Sequence, residues 1–151
     1  MGVDVQGGGV SDDPSIDDDD RLYRRLSDNG PNMIAVDVLT GDRRPTSGAF
    51  KPDDDGVSVY RESLLQQASL SAADVVRAPQ NLVVALPVGA VRSIRPLGVR
   101  DDPWPTRIPD EDHPRNAAHA LINGWDGLST SERRRRQKAL AELPSLEFIY
   151  P

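Results

Sequence analysis

Five side chains in this sequence have types and neighbours that could do chemistry. Arg24 sits in the run Leu22-Tyr23-Arg24-Arg25-Leu26, Ser47 and Ser58 flank a Gly- and Pro-rich stretch, His119 lies within Ala117–Ile122, and Glu147 opens the last apolar run. A guanidinium clamps phosphate or carboxylate through paired N–H donors, and an imidazole exchanges protons near pH 7. A carboxylate can stabilise a developing cation. The surrounding patterns limit these options. No Gly-x-Ser-x-Gly elbow surrounds either serine, so a hydrolase-type serine nucleophile is unsupported. His113 and His119 are six residues apart, no His-Glu-x-x-His occurs and the chain has no Cys, so no metal site is expected. Gly7-Gly8-Gly9 and Gly124-x-x-Gly127 lack the spacing and Lys of a phosphate loop. Asp53-Asp54-Asp55-Gly56 lacks the alternation and closing Glu of a calcium loop.

A second constellation is Arg133-Arg134-Arg135-Arg136, placed directly after Ser129-Thr130-Ser131-Glu132. The latter is a capping box, so the arginines occupy the first turns of a helix whose N-terminus already carries partial positive charge. Helix-end amides and guanidinium forks together make an anion site; the competing reading is a solvent-facing basic helix surface. No aromatic residue interleaves the run for base stacking, so nucleic acid is not an expected partner.

The elements that must position these residues follow from pattern and punctuation. A strand is expected from Leu22, and another over Met33–Leu39 between Asn29-Gly30-Pro31 and Thr40-Gly41-Asp42. Residues 42–56 read as a long loop around a lone Phe50, of the kind that often carries function. Val57–Tyr60 alternates as a strand, Glu62–Gln67 turns helical, and Ser71–Asp74 caps a brief helix. The β-branched run Leu82-Val83-Val84-Ala85-Leu86 is expected to be a strand buried on both faces. Val88–Ile94 makes a helical turn and Leu97–Arg100 a short strand. Pro103, Pro105, Pro109 and Pro114 forbid regular structure over residues 101–114, a loop clamped by Trp104. A helix from Ser129 to about Leu143, anchored by Ala139, Leu140 and Leu143, precedes a final strand over Leu146–Tyr150. Strands and helices alternate irregularly, which points to an α+β domain with a mixed, mainly antiparallel sheet and about three short helices.

The chain's 151 residues suit one domain. Its formal charge of −6 is lopsided, because residues 1–20 carry seven of the 24 acids and no base. That segment, with its Gly run, a Pro and its Asp run, is expected to be a disordered acidic arm ahead of a domain spanning residues 21–151. The domain itself is close to neutral. No run of about 18 apolar residues suggests a membrane span, and the N-terminus shows neither the basic start nor the apolar stretch of a secretory signal. The absence of Cys fits a reducing compartment, and the preference for Arg over Lys suits a GC-rich bacterial genome. A bacterial cytoplasmic location is therefore expected.

Leu22-Tyr23-Arg24-Arg25, Ser47-x-Ala49-Phe50, Val57-Ser58-Val59-Tyr60 and Ala118-His119-Ala120 together resemble a group of small bacterial proteins to which no activity is assigned. That resemblance spans most of residues 21–142 and implies an independent folding unit. Tyr23-Arg24, Ser47 or Ser58, and Glu147 are also similar in order to the parts of small ADP-ribosyltransferase-like toxins. This second likeness implies NAD as cofactor, with Arg24 on its pyrophosphate and Glu147 on the reacting ribose. Three functions stay open on the sequence: a non-catalytic accessory module acting through a protein partner, with no cofactor; an NAD-handling transferase; and phosphate or nucleic-acid binding through Arg133–Arg136. The oligomeric state is left open.

Overall fold

In a computed structural model of the chain, residues 12–27, 33–103 and 113–151 are described. Eight strands and three helices follow one another: β1 Arg21–Ser27, β2 Ile34–Val36, β3 Arg43–Pro45, β4 Val57–Arg61, α1 Glu62–Gln67, β5 Asn81–Pro87, α2 Val88–Arg92, β6 Gly98–Asp101, β7 His119–Asn123, α3 Thr130–Ala141 and β8 Glu147–Tyr150. Six strands form one sheet in the order β6-β7-β4-β1-β5-β8, and every neighbouring pair is antiparallel. β2 and β3 make a separate antiparallel hairpin. The architecture is α+β in one domain, with helices and 3-10 turns on both faces of the sheet.

Period-two alternation decides what each face receives. Leu22, Arg24 and Leu26 of β1 pair across to Leu86, Val84 and Leu82 and share one face. That face holds the larger core, closed by Phe50, by Val88 and Val91 around α2, and by Leu140 of α3. Tyr23 and Arg25 lie on the other face with Ala85 and Val83. Leu65 of α1, Val75 and Ala118 cover that side. β5 is buried along Asn81–Leu86, since it is flanked by strands on both edges and by packing on both faces. α3 opens with the expected reciprocal cap, in which the Ser129 hydroxyl accepts from the Glu132 N–H at 3.2 Å and the Glu132 carboxylate accepts from the Ser129 N–H at 2.9 Å. Gly124 ends β7 at φ +105°, and a Cβ there would fall 2.3 Å from the Pro96 carbonyl oxygen, so only glycine fits.

Three expectations need correction. Residues 12–20 are not a free arm; they are packed on the domain. Ile16 is 1% exposed and belongs to the larger core. Asp12 and Asp18 both bind Arg92, and Asp13 N–H donates to the Val99 carbonyl at 2.7 Å along the edge of β6. Asp20 is buried and accepts from Arg61 Nε, Ser63 Oγ and Ser63 N–H, which supplies the first turn of α1 with the acceptor it lacks locally. A polar composition hides this packing, because Asp12, Asp18 and Asp20 are satisfied by partners at least 41 residues away. Residues 1–11 lie outside the described residues.

The Met33–Leu39 strand is reduced to Ile34–Val36, because Asp37 Oδ1 accepts from the N–H groups of Leu39 and Thr40 and turns the chain. Residues 42–56 contain β3 and a 3-10 turn at Ser47–Phe50 that drives Phe50 fully into the core. The Trp104 clamp falls outside the described residues.

Candidate functional site

Arg24 is the first candidate that the fold places. Its Nε donates to the Ala49 carbonyl at 2.9 Å and its Nη1 to the Ser58 carbonyl at 2.9 Å. It thereby ties the Ser47–Phe50 turn to the sheet, and burial lowers its pKa to about 10, with Arg25 adding to the effect. A guanidinium already committed to two main-chain carbonyls inside the fold is structural.

Glu147 sits opposite Ala85 in β5, on the face that carries Tyr23, while Arg24 and its partner Val84 face the other way. Glu147 pairs instead with Arg21, which also binds Glu62. Glu62 accepts from the Tyr23 hydroxyl as well. Hydrogen bonds from Arg21 and then Tyr23 hold the Glu62 carboxyl below its usual range, and burial first, then Glu62, pushes the Tyr23 phenol up to about 12. Ser47 is exposed on the turn below the Arg24 face, whereas Ser58 is two residues from Tyr60 along β4 and half-buried on the opposite face. The fold therefore divides Arg24, Ser47, Ser58 and Glu147 between two faces of a sheet and does not assemble the clamp-and-carboxylate constellation.

Arg133–Arg136 are also separated. Arg136 turns inward, with Nε on the Arg95 carbonyl at 3.1 Å and Nη1 on the Glu132 carbonyl at 3.3 Å. The Arg133 Nε is buried, while Arg134 and Arg135 are exposed. Four consecutive helical positions cannot share a face, since each step rotates by about 100°.

His119 is 1% exposed at the start of β7. Its Nδ1 lies 2.8 Å from the Asp102 carbonyl oxygen and 3.3 Å from the Asp102 carboxylate, and its ring meets Tyr60 edge-on with centroids 5.5 Å apart. Burial lowers its pKa against the pull of Asp102. His113, by contrast, caps a 3-10 turn at Pro114–Ala118, its Nδ1 accepting from the Arg115 N–H at 3.0 Å. Among the described residues no group of three or more His, Asp or Glu side chains could hold a metal ion.

Two features were missed by the sequence reading. One is the pair Arg25 and Arg115, which bond consecutive carbonyls, Val75 O and Asp74 O, of the 3-10 turn Ala72–Val75. Alternation in β1 was the available signal for Arg25, because adjacent residues of a strand must point to opposite faces; nothing local marks Arg115. The other is the tip of the β2–β3 hairpin. Val38 and Leu39 there are 96% and 91% exposed, with Val36 at 58%. Asp37 holds this tip in one shape: its N–H donates to the Asp42 carbonyl at 2.9 Å, and its carbonyl accepts from Gly41 N–H at 2.8 Å. Beside the tip is a recess of about 180 Å³ lined by Ala35, Val36, Asp37, Asp42, Arg43 and Arg44. Arg43 is engaged with the Pro151 carbonyl and the Phe148 ring, whereas Arg44 is exposed and makes no hydrogen bond among the described residues.

No described helix is long and apolar enough to cross a membrane. No family model, curated protein or solved structure matches this chain.

Proposed function

We propose that the protein is a non-catalytic interaction module of a bacterial cytosolic system, and that it engages a protein partner through the Val36–Leu39 tip of its hairpin. The observation that carries this reading is the near-complete exposure of Val38 and Leu39 on a turn that hydrogen bonds hold in one shape. Two neighbouring large aliphatic side chains, both held out in water, cost hydrophobic free energy that burial in a partner would recover. A pre-shaped turn also loses little conformational entropy on docking. The complementary surface is an apolar cleft with a carboxylate on its rim, to receive the tip and Arg44 respectively. The division of Arg24 and Glu147 between opposite faces supports the same choice over an NAD-handling transferase.

Site-specific photo-crosslinking in the native cytosol tests the reading. A photoreactive residue at position 38 or 39 is expected to give one discrete heavier adduct, which a residue at the exposed position 73 does not give and which Arg44→Glu suppresses. An adduct of twice the chain mass would assign the tip to self-association. No adduct at 38 or 39, or the same adduct at 73, would remove the hairpin as the docking element.

A further inference from the structure

Three arginines of this fold are neutralised by carboxylates. Arg21 binds Glu62 and Glu147, Arg61 binds Asp20 and Asp101, and Arg92 binds Asp12 and Asp18. Each of these guanidiniums thus meets two carboxylates. Arg25 and Arg115 are bonded to main-chain carbonyls instead, as Arg24 and Arg136 are, but these two guanidiniums come together. Coming from β1 and from the Pro114–Ala118 turn, they converge on consecutive carbonyls at the end of the 3-10 turn Ala72–Val75: Arg25 Nη1 donates to Val75 O at 2.8 Å, and Arg115 Nη1 to Asp74 O at 3.3 Å. The Asp74 carboxylate does not neutralise them, because it is turned to Ser71 in that turn's own cap. Among the described residues, no hydrogen bond or ion pair joins either guanidinium to a carboxylate.

Burial sharpens the imbalance. Arg115 is 7% exposed, and its Nε is buried with no hydrogen-bond partner among the described residues. Arg25 has its pKa lowered by burial, against the Tyr60 hydroxyl and with Arg77 and Arg115 both adding to the repulsion. Taking a guanidinium out of water against neutral carbonyls alone is costly. An arginine has five N–H donors, and the bonds to Val75 O and Asp74 O use one Nη group of each residue, so the remaining fork edges are chemically suited to an oxyanion.

We propose that Arg25 and Arg115, with the Tyr60 hydroxyl beside Arg25, bind a phosphate group, either free phosphate or the phosphate of a monoester. Two guanidiniums match the charge of a phosphate dianion, and their planar forks match its oxygen spacing. The site lies on the sheet face opposite the core against which Met33 and Ile34 of the hairpin region pack, so it stands or falls independently of the docking tip.

The test is a titration of the wild-type protein with sodium phosphate, and separately with phosphoserine, at constant ionic strength set with sodium chloride. The side-chain Nε–Hε NMR resonances of Arg25 and Arg115 are expected to shift saturably with one shared dissociation constant. Response to phosphoserine but not phosphate would identify a monoester, and the reverse would identify the free ion. Arg115→Gln is expected to weaken binding at least tenfold and the milder Arg25→Lys several-fold, because Lys keeps the charge and loses the fork. Arg134→Gln leaves it unchanged. Should Arg115→Gln fail to fold, the wild-type resonances and Arg25→Lys still decide. Equal shifts in chloride alone, shifts centred on other arginines, or an unchanged dissociation constant in Arg25→Lys would overturn the proposal.

Discussion

Truncating Ile16 to Ala measures whether the acidic N-terminal segment belongs to the fold. The side chain is 1% exposed and sits in the larger core beside residues of both the sheet and its helices. Ile→Ala removes three carbons, whose transfer from water is worth about 2.4 kcal/mol at roughly 0.8 kcal/mol per buried methylene. The cavity left behind raises the loss, and buried Ile→Ala changes span about 2–5 kcal/mol, so about 3 kcal/mol is expected. For a domain of this size each kcal/mol moves Tm by roughly 2–4 °C, which converts the loss into a fall of about 6–12 °C. Thermal unfolding followed by circular dichroism reads the shift, and urea titration should show a lower midpoint at unchanged slope. The control is Asp19→Ala, an exposed position in the same segment, expected to stay within about 0.5 kcal/mol of wild type. If Ile16→Ala also stayed within about 1 °C, the segment would be an arm and the reasoning from its burial would be wrong.

Val84→Asp is expected to abolish soluble expression, because it puts an unpaired carboxylate at a fully buried position of β5; normal expression would refute the core assignment. Arg24→Met should destabilise by roughly 1–3 kcal/mol for each of the two orphaned carbonyls, Ala49 O and Ser58 O, read as a fall in urea midpoint. Glu147→Gln removes one ion pair of a carboxylate that is 61% exposed, so its effect on stability should stay below about 1 kcal/mol, and neither it nor wild type should turn over NAD. The depressed pKa of His119 means that the unfolded chain takes up a proton near pH 6.5 before the folded one does. Stability should therefore be full above that pH and decline as pH falls toward the folded pKa, by at most about 1.4 kcal/mol per unit. His119→Gln should flatten that part of the profile, and an unchanged slope would assign it to other groups.

Local chemistry was enough to read the elements whose signals are contained in a few neighbouring residues. The β-branched run of β5, the reciprocal cap of α3, the Ser71–Asp74 cap and the alternation of β4 all appear where expected, because hydrogen-bond geometry and side-chain period act over one or two turns. The irregular interleaving of strands and helices likewise implied an α+β sheet, and the observed sheet is antiparallel throughout.

Tertiary structure decided the rest, for two physical reasons. Asp12–Asp20 looked like a solvated tail because burial of an acid depends on a partner, and those partners, Arg61, Ser63 and Arg92, lie 41 to 80 residues away. Phe50, alone in a Pro- and Gly-rich stretch, is core only because α3 folds back over it. The candidate sites show the second reason. Strand alternation sent Arg24 and Arg25 to opposite faces, but which face would meet a carboxylate was set by strand order, since β8 joins β5 and brings Glu147 to Arg21. Arg115 reaches Arg25 only because β7 lies beside β4 and β4 beside β1. The residue types were written locally, whereas their pairing depended on which strands became neighbours.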